Sequence, residues 1–421
     1  MASGLACLLI RGAAVTRTSE PILVVGGGLG GAAVSLALAR RGLRVQLFEQ
    51  APEFGVIGYG IQLGPNVFPM FDRLGITDAV LKVALRPGAV TMVDSIDGGT
   101  IARFPTGPSF VERFKRPYVV IHREDLHRIL LDACAALQNV EMIPNASVAS
   151  AEDLGSRVRL HTKDSLSYDG AALIACDGLR STIRQQMLNE GEPRIIGYVA
   201  HRNIVPMASV NFDVNRDDVV LWSGPGFHIV HYPLRNHTLF NVVTVFKTLN
   251  AQPSDTESPH PDLAHVYRDS HPTMKSLWAM MDLSRRGWVS SDRDPIRHWS
   301  KGRMTLLGDA AHPTLQTLAQ GACMAIEDAV CLAELLDNAA DDIQSAFQQY
   351  VRARYLRTAR VQFESRYHWD NWYHADGIER EVARQTWSRR TEQQMFDCLA
   401  WLYDGFALPG PQQNGTREKA A

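Results

Sequence analysis

A glycine-rich run near the amino end has the spacing that binds the diphosphate of a nucleotide. Gly26, Gly28 and Gly31 form the pattern Gly-x-Gly-x-x-Gly, and Glu49 follows about 20 residues later. Gly26 would allow a tight turn, Gly28 would let the backbone approach the diphosphate, and Gly31 would let a helix pack closely on a strand. The diphosphate would face the positive end of that helix, and Glu49 would accept hydrogen bonds from a ribose. The run predicts a dinucleotide site but does not distinguish FAD from NAD.

A second candidate carboxylate is Asp309, in the run 308–313. It follows the apolar segment 303–307, which we predict to be a strand. A carboxylate there would accept a hydrogen bond from a ribityl hydroxyl of a flavin, and a helix starting near Gly321 would present backbone N–H groups to the flavin pyrimidine edge. Taken singly, Asp309 is equally well explained as a residue that caps a turn.

A third motif, Asp-Gly-x-x-Ser-x-x-Arg, begins at Asp177 and ends at Arg184. An Asp-Gly pair is also common in turns, so a structural interpretation has equal weight for this motif alone. The three motifs in this order rarely occur together by chance. Together they favour FAD as the bound dinucleotide.

The glycine run must lie between two strands to work. Residues 21–25 form a short apolar run, 32–41 an Ala/Leu-rich helix and 45–49 the next strand. This order predicts a βαβ unit that opens a parallel sheet. Further strands of the same domain are predicted at 140–142, 158–161, 172–175 and 303–307, with helices at 123–137 and 321–336.

Residues 197–248 change to the alternating pattern of an antiparallel sheet, with His228, Val230 and Tyr232 on one face. The predicted fold class is α/β: a Rossmann-type FAD-binding domain with an inserted antiparallel β-sheet substrate domain and a helical C-terminal region. The predicted domain bounds are 20–192 and 290–365 for the two parts of the FAD-binding domain, 193–289 for the substrate domain and 366–410 for the C-terminal region.

The composition excludes several classes of function. The 421 residues carry a net charge of −2, so no basic surface favours nucleic acid or an anionic membrane. No segment has the roughly 18 uninterrupted apolar residues of a membrane helix. The six cysteines form no Cys-x-x-Cys pair, which favours a reducing compartment, the cytoplasm. We expect residues 1–19 to be a disordered leader or an extended start, and the histidines at 228, 231, 312 and 368 form no recognisable metal ligand set.

From about residue 21 to 336, these motifs resemble the single-component (group A) flavoprotein monooxygenases, the family of 4-hydroxybenzoate and salicylate hydroxylases. The motif at Asp177 is similar to the family's site for both FAD and pyridine nucleotide, and the run from Asp309 to Pro313 is similar to its second FAD motif. Arg123 matches an arginine that contacts the FAD diphosphate, and Gln62 matches a cofactor-lining position. The resemblance implies bound FAD, transient NADH or NADPH, and O₂ as co-substrate.

Residues 314–321 depart from the proline- and glycine-rich loop of most of the family and are similar to the 3-hydroxybenzoate 6-hydroxylase branch. There the position of Gln316 contacts substrate, His228 matches a substrate-facing histidine, and Tyr232 and Tyr118 match tyrosines of the site. The tryptophan-rich segment 368–377 is also similar. A structural alternative stays open for each residue. His228 could be a hydrogen-bonded histidine of a half-buried strand, Gln316 a loop amide that satisfies backbone groups, and the two tyrosines core aromatic residues.

The resemblance implies hydroxylation of a small aromatic acid or phenol through a flavin C4a-hydroperoxide, with 3-hydroxybenzoate converted to gentisate. His228 would take the phenolic proton and Gln316 would orient the ring. The alternatives are a decarboxylating salicylate 1-hydroxylase and a flavin dehydrogenase or reductase without oxygen insertion. No arginine marks a clamp for a substrate carboxylate, and the aromatic C-terminal helices are a candidate homodimer surface.

Overall fold

The described part of the chain comprises residues 20–55, 58–248, 268–282, 287–339 and 342–409 of a computed structural model. The predicted leader at 1–19 lies outside these residues. The strands are β1 (Ile22–Val25), β2 (Val45–Phe48), β3 (Gly60–Leu63), β4 (Ala89–Asp94), β5 (Thr100–Pro105), β6 (Val119–His122), β7 (Val140–Ile143), β8 (Val148–Asp153), β9 (Val158–Thr162), β10 (Ser167–Gly170), β11 (Ala172–Ala175), β12 (Arg194–Pro206), β13 (Val219–Gly224), β14 (Phe227–Leu234), β15 (Leu239–Lys247), β16 (Trp288–Asp292), β17 (Ser300–Lys301) and β18 (Met304–Leu306).

The helices alternate with strands in the first part of the chain and follow one another near its end. They are α1 (Leu29–Ala39), α2 (Phe68–Leu74), α3 (Thr77–Val83), α4 (Pro108–Phe114), α5 (Arg123–Ala135), α6 (Thr182–Leu188), α7 (Pro272–Ala279), α8 (Gly321–Asn338), α9 (Ile343–His368), α10 (Gly377–Ser388) and α11 (Glu392–Tyr403). The predicted helical C-terminal region is therefore present within the described residues.

The first sheet is mostly parallel, with six strands in the order β17-β18-β11-β1-β2-β7. Strand β1 pairs in parallel with β2 and β11, and β11 with β18, whereas the edge strand β17 is antiparallel. Every residue of β1 and β11 is buried, as expected for strands covered on both faces. The predicted βαβ unit is confirmed, although α1 begins at Leu29 because the extended backbone of Gly28 caps it there.

The second sheet has seven strands in the order β16-β12-β15-β14-β13-β4-β5. It is antiparallel except where β13 pairs in parallel with β4. The alternation at 197–248 is confirmed as β12 to β15. The sheet also takes in β4 and β5, which lie inside the range predicted for the first part of the FAD-binding domain. The pairing of β4 with β13 joins segments that are distant in the sequence, so no local pattern predicts it. The domain bounds themselves stay a prediction.

A third, smaller sheet corrects one expectation. The predicted strand at 158–161 is present as β9, but it pairs with β8 and β10 in an antiparallel three-stranded sheet. The strands predicted at 140–142, 172–175 and 303–307 do join the parallel sheet, as β7, β11 and β18. A short strand pattern of four or five residues shows that a strand forms but does not show which neighbour it pairs with.

A buried cluster of charges holds α8 against α9. Arg354 has no exposed surface and donates to Glu327 Oε2 and to Asp328 Oδ1, each at 2.6 Å. His312 contacts the other oxygen of Asp328 at 2.6 Å, so this histidine has a structural partner. Burial opposes ionisation of Asp328, but His312 and Arg354 outweigh it and lower the pKa of Asp328 to about 2. The cluster therefore stays charged in the interior.

Two further features concern the helices and the cysteines. Within the described ranges, no helix is long and apolar enough to cross a membrane. The five described cysteines, which exclude Cys7, are all free thiols.

Candidate active site

A cavity of about 380 Å³ is lined by residues from the second sheet, from β3, from the loop after β18 and from the C-terminal helices. This volume is within the range of about 300–1,000 Å³ that small-molecule sites occupy. The predicted site residues that line it are Gln62, Tyr118, His228, Tyr232, Asp309, Gln316 and Gly321. The others, Gly26, Gly28, Gly31, Glu49, Arg123, Asp177 and Pro313, lie outside this lining.

The predicted cofactor motifs meet at one edge of the first sheet. The glycine run follows β1, Glu49 follows β2, Asp177 follows β11, and the loop of Asp309 follows β18. These four strands are parallel neighbours, so their carboxyl ends lie side by side. That edge is where open α/β sheets bind their ligands.

The glycine run has the shape of a diphosphate cradle. Gly26 has a φ of +99°, and a Cβ there would lie 2.5 Å from the carbonyl oxygen of Cys176. A Cβ on Gly31 would lie 1.8 Å from the carbonyl oxygen of Gly26, so a side chain would push α1 off the strand. At Gly28, by contrast, no described atom lies within 4 Å of where a Cβ would be. This open side at the start of α1 fits a diphosphate.

Glu49 organises the same loop. Its Oε2 accepts from the backbone N–H of Gly27 and its Oε1 from the backbone N–H of Ala51, both at 2.8 Å. A carboxylate oxygen has two acceptor positions, so each oxygen keeps one for a ribose hydroxyl. The geometry therefore fits the predicted ribose contact, and it adds a structural role that the sequence did not indicate.

Asp309 and Arg123 are opposite charges that influence each other without forming an ion pair. Asp309 lines the cavity, so its carboxylate has an exposed surface there. Protein atoms nevertheless surround it closely on its other sides. Burial accordingly raises the pKa of Asp309, against the opposing effect of His312 and Arg123. Arg123 starts α5 and has no ion pair with a carboxylate among the described residues; burial lowers the pKa of its guanidinium. An acceptor and an unpaired cation here fit a ribityl hydroxyl and a phosphate.

The Asp-Gly motif positions the loop after β18. Asp177 accepts from a backbone N–H in the first turn of α6 at 3.3 Å, and Ser181 Oγ accepts from the N–H of Arg184 at 2.8 Å. The buried Arg184 Nη1 then donates to the carbonyl oxygens of Ala310 and Ala311 at 3.0 and 2.8 Å. Burial raises the pKa of Asp177. The motif thus fixes the loop that carries Asp309.

His228 lies at the end of a directed hydrogen-bond chain. It alternates along β14 with Val230 and Tyr232, and all three line the cavity. His374 Nδ1 lies 2.9 Å from the carbonyl oxygen of Trp369, which only accepts, so His374 Nδ1 must donate. In neutral His374 the Nε2 atom is then an acceptor, and His228 Nδ1, 2.8 Å away, donates to it.

The same chain leaves His228 Nε2 with a lone pair. This buried nitrogen has no hydrogen-bond partner within the described part of the chain. Burial lowers the pKa of His228 well below its usual value, with a smaller effect from His374, so the ring stays neutral. A neutral imidazole nitrogen in an apolar cavity is suited to accept a proton from a bound ligand.

The loop of Gln316 is fixed to α9 on one side. Thr314 Oγ1 donates to Ser365 Oγ at 2.9 Å, and Thr317 Oγ1 donates to the carbonyl oxygen of Ser365 at 2.8 Å. Gln316 Oε1 accepts from Arg202 Nη2 at 3.2 Å. The amide NH₂ of Gln316 is then the end left to donate to a ligand.

Tyr118, Gln62 and Tyr232 enclose another side of the cavity. Tyr118 O–H donates to Gln62 Oε1 at 2.6 Å. Burial raises the pKa of Tyr232, although Arg202 and a hydrogen bond with Gln62 oppose it. A Cβ on Gly60 would lie 2.5 Å from the Tyr232 ring, so β3 packs directly on this tyrosine. These contacts leave both tyrosines protonated and fixed.

At the start of α8, Gly321 has a polar neighbour that sequence reasoning missed. Gln320 is 1% exposed, lines the cavity and accepts from Asn66 Nδ2 at 3.0 Å. Its buried Nε2 has no partner among the described residues, so it is a donor available to a flavin carbonyl. Pro313 lies deeper, and its carbonyl oxygen accepts from Gln362 Nε2 at 3.0 Å.

Two more cavity-side residues were not predicted. Arg202 lies on β12, where Gly197 and a register shift after Ile195 obscure which face each residue occupies. His374 follows a five-residue π-helical turn, Trp369–Tyr373. The resemblance of the segment 368–377 to the hydroxylase branch was the signal that pointed to it.

One group of described residues has the proximity of metal ligands. His122, Glu124 and Asp125 bring ligand atoms within 4.8 Å of one another. Arg235 donates to Glu124 and to Asp125, in both cases at 2.9 Å. Because a guanidinium already occupies the two carboxylates, we assign no metal to this group.

The chain is similar to several known proteins over most of its length. The FAD binding domain family model matches residues 19–363. The 3-hydroxybenzoate 6-hydroxylase of Polaromonas naphthalenivorans (strain CJ2) is 41% identical over 386 residues, 91% of this chain and 95% of that protein. 3-Hydroxybenzoate 6-hydroxylase 1 of Aquipseudomonas alcaligenes is 40% identical over 387 residues, 91% and 97% of the two chains. Klebsiella pneumoniae HpxO complexed with FAD and uric acid has the same fold, with a TM-score of 0.81, 24% identity and coverage of 92% and 98%.

Proposed function

Because the chain belongs to the FAD-dependent aromatic monooxygenases, we propose that it converts 3-hydroxybenzoate to gentisate. In this reaction 3-hydroxybenzoate, O₂, NAD(P)H and a proton give gentisate, water and NAD(P)⁺. The observation that carries the proposal is the lone pair of His228 Nε2, which is buried in a cavity that also holds Gln316 and Asp309. Two relatives named for this reaction, each about 40% identical across most of the chain, support it.

We assign the cofactor to the edge of the parallel sheet and the adjoining cavity. When bound, FAD takes a hydride from the pyridine nucleotide and activates O₂ for transfer to the ring. The backbone at Gly28 and the guanidinium of Arg123 would hold its diphosphate, and Glu49 its ribose. Asp309 would accept from the ribityl chain. The start of α8 would face the pyrimidine edge, where the amide of Gln320 can also donate.

The protein's own contribution to the chemistry is proton transfer and orientation. His228 Nε2 would accept the phenolic proton, which makes the ring carbon para to that oxygen electron-rich. This carbon is C6 of 3-hydroxybenzoate. The NH₂ group of Gln316 would donate to the substrate, and Tyr118 and Tyr232 would close the site against water.

The nearest alternative is a decarboxylating salicylate 1-hydroxylase, and the loop around Gln316 argues against it. A holoenzyme supplied with NADH or NADPH and each hydroxybenzoate should consume O₂ in step with gentisate formation from the 3-isomer. Catechol from salicylate as the main product would overturn the assignment. Oxidation of the pyridine nucleotide without any hydroxylated product would show a reductase instead.

Glu49→Ala tests the ribose and loop assignments. Loss of the carboxylate removes two backbone contacts and the ribose acceptor, so we expect FAD affinity to fall by about 10- to 100-fold. The flavin content after dialysis, measured by absorbance, reports the change. Gln46→Ala is the matched control, because Gln46 lies on β2, the strand that Glu49 follows, and its amide donates to the exposed Glu141. Full flavin content in the Glu49 variant would contradict the assignment.

We also propose that the protein is a cytoplasmic homodimer. Leu356, Phe363 and Tyr367 on α9 are 67%, 58% and 52% exposed and share one side of that helix. Exposed apolar surface of this kind marks protein contacts. A mass in solution of twice the 46.7 kDa chain is expected from light scattering.

A further inference from the structure

Arg202 is a cation in the cavity with no anionic partner. Among the described residues its guanidinium donates one hydrogen bond, to the neutral amide of Gln316 at 3.2 Å, and it lies 5.8 Å from the centre of the Tyr59 ring. No carboxylate of the described residues lies within ion-pair distance of it. Removing a guanidinium from water without an anion is costly, so a cation held this way is suited to an anionic ligand.

The strand registers show where this cation stands relative to the substrate cavity. Arg202 lies opposite Val243, Val243 opposite Val230, and Val230 opposite Leu221. Opposite residues share a face of the sheet, and all four line the cavity. Arg202 is the charged member of an otherwise apolar row, so an anion in this part of the cavity would be drawn to it.

His228 lies on the same face, two strands away and one side-chain repeat along β14 from Val230. Neighbouring strands are about 4.8 Å apart and residues about 3.4 Å apart along a strand, so the backbones at Arg202 and His228 are about 10 Å apart across the sheet and about 7 Å apart along it, or about 12 Å in all. A ring whose phenol oxygen approaches His228 would direct a substituent from a separate ring position toward Arg202. Adjacent substituents, as in salicylate, suit this arrangement less well.

We propose that Arg202 binds the substrate carboxylate and makes the site selective for aromatic acids over neutral phenols. This inference rests on the proposed function and adds a specificity-determining residue to it. The bond from Arg202 to Gln316 also fixes the amide so that its NH₂ faces the ligand. One guanidinium would thus bind the acid group and orient the second polar contact.

The test compares a charged ligand with a neutral ligand of the same shape. Anaerobic titration of the oxidised holoenzyme, followed by flavin absorbance, gives dissociation constants for 3-hydroxybenzoate and 3-hydroxybenzamide. We expect wild type to favour the acid by roughly 10- to 100-fold, and Arg202→Gln to lose that preference while its amide affinity changes little. Arg202→Lys should lie between the two. Arg103→Gln removes an exposed arginine from the opposite face of the same sheet and should match wild type.

Several results would overturn the proposal. Equal binding of acid and amide by wild type would do so without any variant. Equal weakening of both ligands in Arg202→Gln, or loss of FAD with an unchanged acid preference, would assign Arg202 to packing or to the flavin. The same titrations with 2- and 4-hydroxybenzoate and their amides distinguish a failure of this proposal from a failure of the proposed function. If another isomer is the substrate, the gentisate assignment fails, yet the acid preference for that isomer must still depend on Arg202.

Discussion

Replacing His228 with alanine should slow hydroxylation by about 100- to 10,000-fold, the usual contribution of a positioned general base. The flavin content should remain that of wild type, because His228 lies on β14 and the cofactor motifs lie at the edge of the other sheet. The variant loses the one buried, unpartnered histidine nitrogen among the described residues that line the cavity.

The loss of turnover in His228→Ala should depend on pH, and the pKa of His228 determines the direction of that dependence. Burial holds the pKa of His228 below its usual value, so wild type keeps a neutral base as the pH falls below about 6.5. The variant depends on phenol that is already ionised, and that fraction falls about tenfold per pH unit below a pKa near 10. The ratio of wild-type to variant turnover should therefore grow as pH falls. Product formation measured between about pH 6 and pH 9 checks this.

Two further histidines sharpen the test. His231→Gln is the matched control, because His231 lies on the same strand but accepts from Trp222 Nε1 at 3.2 Å on the opposite face. His374→Phe removes the acceptor that fixes the His228 tautomer and should lower turnover by about tenfold. His374→Gln should restore part of it, since its amide can accept from His228 and donate to the carbonyl of Trp369. Unchanged turnover in His228→Ala would remove His228 from the mechanism.

The parts of the site that the sequence predicted are those that local patterns specify. A strand followed by Gly26 to Gly31 and then a helix specifies a tight turn between β1 and α1. The glycine run and Glu49 therefore lie at the positions that the sequence predicted. Asp177 and Asp309 lie at the same edge of the first sheet, as expected, because each follows a parallel strand that is a short apolar run. His228 and Tyr232 share a face because side chains alternate along a strand.

The parts that were missed depend on contacts between distant segments. The partner of His228 is 146 residues away, and no spacing connects the two histidines. Strand β4 joins the second sheet through a parallel pairing with β13, a contact without a turn or periodic signal. The sequence did not predict Arg202 as a site residue for a related reason. The register of β12 with β15 determines which face of the sheet Arg202 occupies, and the residue pattern of β12 alone does not.

The buried ion cluster supports the second large prediction, because it ties the start of α8 to the body of the protein. Arg354 contacts Glu327 and Asp328, and Glu327 also accepts from Asn66, whose amide binds Gln320 in the cavity. Desolvation makes such a cluster a weak source of net stability, but breaking it leaves charges buried without a partner. Loss of one member therefore has a large cost.

Arg354→Met should lower the free energy of unfolding by about 3 kcal/mol and weaken FAD retention, because the buried Glu327 then keeps only Arg357, and the buried Asp328 only His312, as a cationic partner. Urea unfolding with FAD present, followed by tryptophan fluorescence, measures the change. Arg352→Met is the control, since Arg352 is exposed on the same helix and bonds only Gln348, so a few tenths of a kcal/mol are expected.

Acid should act on the same cluster. The pKa of Asp328 is about 2 in the folded chain and near 3.9 when unfolded, so its contribution is complete above about pH 4 and is lost as pH falls through 2. In Arg354→Met the folded-state pKa of Asp328 rises, so less of the variant's stability should disappear over that acid range. A variant as stable as wild type at neutral pH, with wild-type flavin retention, would show that the cluster does not hold α8 in place.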